Sequence, residues 1–128
     1  MKVAILAGGI GSRICEETSM KSKAMVKIGE QPILWHIMKY YSDFCFNEFV
    51  IATGYKGESI KSWMQEYSQL NKNIIVKTET DELVSPSTNK PDQSGWIVHL
   101  IDTGQKTQTG GRIKRLAPWL GNHTFMLT

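Results

Sequence analysis

Short apolar runs alternate along this chain with longer segments of helical period, and that alternation limits the folds open to it. Lys2–Ala7 is β-branched and apolar and is stopped by Gly8-Gly9. A strand covered on both faces reads this way, because neither face offers polar side chains to water. Pro32–Tyr41 follows a polar turn at Gly29-Glu30-Gln31. Its Ile33, Leu34, Ile37, Met38 and Tyr41 fall on one helical face, and Pro32 suits a first turn. Glu48–Ala52 predicts another buried strand, and Glu58–Leu70 another helix through Ile60, Trp63, Met64, Tyr67 and Leu70. Asn73–Lys77 and Trp96–Asp102 predict strands, Arg112–Leu120 a helix preceded by Gly110-Gly111, and His123–Leu127 a final strand. Glu79–Gly95, with Pro86, Pro91 and many Ser, Asp and Asn residues, reads as an irregular excursion. Strands and helices alternating at this spacing are βαβ crossovers, so the expected fold is α/β with a parallel sheet.

Composition bounds the remaining possibilities. A chain of 128 residues, 41% of them apolar, is enough for one domain with its own core and no staple of metal or disulfide. The net charge of +3 is spread along the chain rather than gathered on one face, which argues against a nucleic-acid partner. No apolar run approaches the roughly 20 residues of a membrane helix, and the N-terminal run is too short for a signal peptide. Cys15 and Cys45 have no CxxC spacing and no clustered histidines, so they read as free thiols of a cytoplasmic protein, and zinc is not expected.

The segment richest in chemistry is Leu6-Ala7-Gly8-Gly9-Ile10-Gly11-Ser12-Arg13, directly after the first strand. Its glycines let backbone N–H groups approach an anion and form a nest around phosphate oxygens. Ser12 adds a hydroxyl donor and Arg13 a bidentate cationic fork. Two commoner motifs fail on counting. The dinucleotide fingerprint begun at Gly9 needs Gly or Ala where Ile14 stands, and the P-loop begun at Gly8 needs Gly where Arg13 stands. A strand-to-helix turn that uses glycine for geometry alone is the competing reading. Lys23, ten residues beyond Arg13, can fold back onto the same phosphates as a point charge, although a solvated surface lysine is the default and Lys21 is a rival.

Leu-Ala-Gly-Gly-x-Gly-Ser-Arg at 6–13 with Lys23 beyond it resembles the signature of the sugar-1-phosphate nucleotidyltransferases. Gln31-Pro32-Ile33-Leu34-Trp35-His36-Ile37-Met38-Lys39, Gly54-Tyr55-Lys56-Gly57, Asp102-Thr103-Gly104 and Thr109-Gly110-Gly111-Arg112-Ile113-Lys114-Arg115 are similar to the glucose-1-phosphate cytidylyltransferase branch. The resemblance runs over the whole chain and is weakest at 81–94. It implies a Rossmann-like sheet of the glycosyltransferase-A-like type, with residues 1–128 as the nucleotide-binding N-terminal part of one domain. Members of that family are considerably longer and continue into a Gly-Asp-Gly turn whose Asp holds catalytic Mg²⁺. The sheet is therefore expected to be incomplete at its C-terminal side, with no metal ligand among these residues. Ser22 and Ala24 stand where the family usually has prolines beside the lysine, so a less rigid lysine loop is expected.

The resemblance implies a reaction in which a sugar-1-phosphate oxygen attacks the α-phosphorus of CTP and pyrophosphate leaves, the protein positioning both anions and offsetting charge. It places Leu6, Ala7, Gly8, Gly9 and Ile10 along the nucleotide, and Gly11, Ser12 and Arg13 on the triphosphate. Arg13 and Lys23 are the implied catalytic cations. Thr107, Gly110, Gly111 and Arg112 are placed by the base and ribose, although Gly110-Gly111 alone would read as a helix entry. It further implies Mg²⁺ as cofactor, CTP and a sugar 1-phosphate as partners, a homo-oligomer, and a place in nucleotide-sugar and polysaccharide biosynthesis. Residues 1–128 alone are expected to turn over little. A non-catalytic nucleotide-binding or interaction module, or different base and sugar specificity, is the alternative. His36, His99 and His123 and the four tryptophans read as structural.

Overall fold

A computed structural model describes residues 2–7, 23–54, 57–71, 73–80, 82–84, 95–104, 109–121 and 125–127, and of Lys23, Thr109, Gly110, Arg112 and Phe125–Leu127 it describes the backbone. Strands β1 (Lys2–Leu6), β4 (Glu48–Thr53), β5 (Ile74–Thr78), β6 (Trp96–Asp102) and β7 (Phe125–Leu127) form one sheet in the order β5-β6-β4-β1-β7. Every neighbouring pair in it is parallel. A small antiparallel hairpin, β2 (Lys27–Ile28) and β3 (Gln31–Pro32), stands apart from it. The helices are α1 (Ile33–Ser42), α2 (Gly57–Leu70) and α3 (Thr109–Leu120). This is the α/β parallel sheet expected from the alternation.

Period-two alternation along each strand sends side chains to two cores. Val3, Ile5, Phe49, Ile51, Val98 and Leu100 meet Leu34 and Met38 of α1 and Ile60 and Met64 of α2. Ala4, Val50, Ala52 and Ile101 face the other way and meet Leu116 and Leu120 of α3. Phe49 and Leu34 are wholly buried, and each such side chain contributes about 2 kcal/mol through removal from water. The first core is extended by a column of rings, Trp63 stacked on Tyr67 at 5.1 Å and Tyr67 on Trp96 at 5.6 Å. Trp35 donates from Nε1 to the Tyr67 hydroxyl at 3.3 Å, so these three tryptophans are structural, as their spacing suggested.

Glu79–Gly95 joins two parallel neighbours, β5 and β6. Its described part turns back along the outer edge of β5, where Thr78 N donates to Glu82 O at 3.0 Å and Val84 N to Val76 O at 2.8 Å. That pairing covers backbone groups an edge strand would otherwise leave open. The hairpin β2–β3 and the 3-10 turn at Lys23–Met25 were not foreseen. α3 begins at Thr109, so Gly110 and Gly111 are its first-turn residues and do not precede it.

Candidate functional site

In this topology β1 leads through α1 to β4 on one side, while β6 leads through α3 to β7 on the other side of β1. The chain therefore changes direction beside β1, and ligands of open parallel sheets bind at the carboxyl ends of strands flanking such a point. Leu6 is half-buried and Ala7 buried at the end of β1, where Ala7 N donates to Ala52 O at 2.9 Å. Gly8, Gly9, Ile10, Gly11, Ser12, Arg13 and Thr107 lie outside the described residues. The segment 8–13 leaves directly from Ala7, so its starting point is held rigidly at the switch.

The neighbouring strand ends are tied just as firmly. Thr103 N and Thr103 Oγ1 both donate to Thr53 O, at 2.9 and 2.8 Å, and Thr53 Oγ1 donates to Ile101 O at 3.3 Å. Gly104 N donates to Asp102 Oδ1 at 2.9 Å, turning the chain away from β6. Arg115 Nη1 then donates to Thr103 O at 2.6 Å and ties the second turn of α3 to the end of β6. The first turn of α3 carries no acidic side chain, so no carboxylate of that turn offsets its positive dipole end. Gly111 is half-buried in that turn, and the backbone of Gly110 and Arg112 lies beside it.

Lys23 opens the 3-10 turn. Met25 of that turn is buried in the core under α1 and α2, and Ala24 packs against the same core. Ile33 N donates to Val26 O at 2.9 Å, and His36 Nε2 donates to Ile28 O at 2.8 Å. A buried methionine and a hydrogen-bonded hairpin thus follow Lys23, whereas Ser22 lies outside the described residues. His99 Nε2 lies 3.1 Å from Glu48 Oε2 toward the amino ends of the strands, and Lys2 Nζ lies 3.7 Å from the same oxygen. His99 thus lies away from the carboxyl edge, whereas His123 lies outside the described residues.

A cavity of about 300 Å³ opens at the carboxyl ends of β4, β5 and β6, lined by Thr53, Gly57, Glu58, Lys61, Glu79 and Asp102. Among the described lining residues three carboxylates stand against one lysine, a balance that opposes a polyphosphate in this cavity. Among the described residues no group of His, Cys, Asp and Glu could hold a metal ion, and no helix is long and apolar enough to cross a membrane. Thr53, Thr103 and Arg115 were not singled out as site-forming residues in the sequence. Arg115 lies within a run similar to the family, but nothing local marks it as the tie to β6.

Comparison with known proteins agrees with this geometry. A family model described as nucleotidyl transferase matches residues 2–93. The chain is 40% identical over 129 aligned positions to glucose-1-phosphate cytidylyltransferase of Salmonella typhimurium, covering 100% of this chain and 49% of that protein. It is 38% identical to the probable glucose-1-phosphate cytidylyltransferase of Bacillus subtilis, with the same coverage. The chain thus spans about half the length of the curated relatives it matches. A solved UDP-glucose pyrophosphorylase, complexed with UDP-glucose, superposes with a TM-score of 0.69 at 16% identity, covering 98% of this chain and 43% of that one. That likeness shows the nucleotidyltransferase fold.

Proposed function

Because the chain belongs to the nucleotidyl transferase family, we propose that it serves nucleotidyl transfer from CTP to glucose 1-phosphate, yielding CDP-glucose and pyrophosphate. The observation that carries this reading is the 40% identity to a glucose-1-phosphate cytidylyltransferase along the entire chain. In it Leu6, Ala7, Gly8, Gly9 and Ile10 line the nucleotide beyond β1, and Gly11, Ser12 and Arg13 hold the triphosphate. Arg13 and Lys23 neutralise charge at the α-phosphate and the leaving pyrophosphate. Thr107, Gly110, Gly111 and Arg112 accept the base and ribose at the start of α3. Mg²⁺ is the metal expected of the full-length enzyme, and Arg13 and Lys23 are assigned the positive charge that this chain itself brings to the phosphates. The setting is the cytoplasm and nucleotide-sugar synthesis for polysaccharides.

Calorimetric titration with CTP tests the binding half of this reading. A saturable heat is expected, and Arg13→Ala should weaken CTP at least about tenfold through loss of a charge-assisted phosphate contact. Absence of binding at millimolar CTP, or equal affinity in the variant, contradicts it. Pyrophosphate release from CTP, glucose 1-phosphate and Mg²⁺ separates transfer from nucleotide binding alone.

A further inference from the structure

Apolar contacts hold α3 against the sheet without setting where along its own axis the helix sits. Leu116 and Leu120 pack on Ala4, Val50, Ala52 and Ile101, which fixes the buried face of the helix. Burial of apolar surface has no direction, so it tolerates a small slide. Directed bonds at the two ends of α3 oppose that slide. Lys2 Nζ donates to Trp119 O at 2.6 Å at the far end, and Arg115 Nη1 donates to Thr103 O at 2.6 Å at the end nearer the carboxyl edge. Thr103 is a firm anchor, since it is wholly buried and donates twice to Thr53 O. The chain leaves that anchor through Gly104, with φ of +90°, and enters α3 at Thr109.

We propose that Arg115 is a positioning residue for the base and ribose end of the nucleotide. This role rests on the placing of Thr107, Gly110, Gly111 and Arg112 at that end. Residues 105–108 link Gly104 to Thr109, and the Arg115 bond sets how far apart those two described ends stand. The same bond sets the axial place of the first turn, which holds the backbone of Gly110, Gly111 and Arg112. Loss of the bond lets that turn, and the point where the link joins it, sample more positions, which nucleotide binding must then narrow. Global stability depends on the bond far less. Arg115 is exposed, so truncation admits water to the carbonyl it leaves. The triphosphate end is separate, because Gly11, Ser12, Arg13 and Lys23 are assigned to it and none belongs to α3 or its entry link.

Calorimetric titration with CTP and, separately, with inorganic tripolyphosphate distinguishes the two ends of the site. The unaltered protein is expected to bind both. Arg115→Ala should weaken CTP by about five- to tenfold, while its affinity for tripolyphosphate stays within about twofold. Retained tripolyphosphate binding also shows that the variant is folded. Arg115→Lys keeps a long stem and a charged donor, so it should recover most of the loss in CTP affinity. Equal CTP affinity in Arg115→Ala and the unaltered protein overturns the positioning role. So does an equal loss for both ligands, which would make Arg115 a phosphate contact or a purely structural residue. An unaltered protein that binds neither ligand overturns the nucleotide-site reading itself, and the role of Arg115 with it.

Discussion

Gly57 shows how much can hang on one missing atom. A Cβ built there would come within 3.0 Å of Thr53 Cβ and 3.2 Å of Thr53 Oγ1. Thr53 cannot yield readily, because it is buried, its hydroxyl is bonded to Ile101 O and its carbonyl accepts twice from Thr103. Helix propensity favours alanine over glycine by up to about 1 kcal/mol, yet overpacking costs about 1–3 kcal/mol. Gly57→Ala is therefore expected to destabilise the protein by about 1 kcal/mol net, read as a lower midpoint in urea unfolding with an unchanged slope. Nothing near Gly57 in the sequence discloses this, since Thr53-Gly54 marks only a strand stop. By contrast, the proposed phosphate contacts of Ser12 and Arg13 rest on residue type, because hydroxyl and guanidinium groups carry their phosphate affinity wherever they stand.

At the scale of the element, α1 ends in a way its residues do not advertise. Phe46 N donates to Tyr41 O at 3.1 Å and Cys45 N to Ser42 O at 2.9 Å, the paired bonds of a Schellman motif. The residue at its left-handed position is Cys45, with φ of +68°, where glycine is usual. A side chain in that conformation costs about 1–2 kcal/mol, partly offset by the greater freedom glycine has when unfolded. Cys45→Gly is thus expected to stabilise by about 0.5–1 kcal/mol and raise the melting temperature by about 2–5 °C, measured by circular dichroism. Gly29, at φ of +70°, occupies the matching position in the β2–β3 turn, and there the sequence does supply glycine. That hairpin escaped sequence reading because two-residue strands are too short to display alternation. Gly110 and Gly111 hid the true start of α3 for a related reason. Glycine argues against a helix interior, but a first turn tolerates it because its N–H groups have no intrahelical partner.

Taken as a whole molecule, the sheet is guarded unevenly. α1 and α2 cover one face, whereas α3 is the helix described on the other and holds it mainly through Leu116 and Leu120. Leu116→Ala should therefore cost about 3 kcal/mol and lower the melting temperature by about 10 °C. Amide exchange should rise first in α3, while α1 and α2 keep their protection. The ties at the carboxyl edge predict that this loosening reaches the candidate site, since Arg115 of α3 holds the end of β6. Amino-acid order by itself determined the longer strands and helices of the main sheet, because burial period and turn residues are local properties of a few neighbours. It also made legible the family to which the chain belongs. Tertiary structure alone decided the strand order β5-β6-β4-β1-β7, the placing of two helices on one face, and the joining of Thr53 to Thr103. Those outcomes depend on crossovers between segments 22 to 123 residues apart, whose energy is settled only when the packed faces meet.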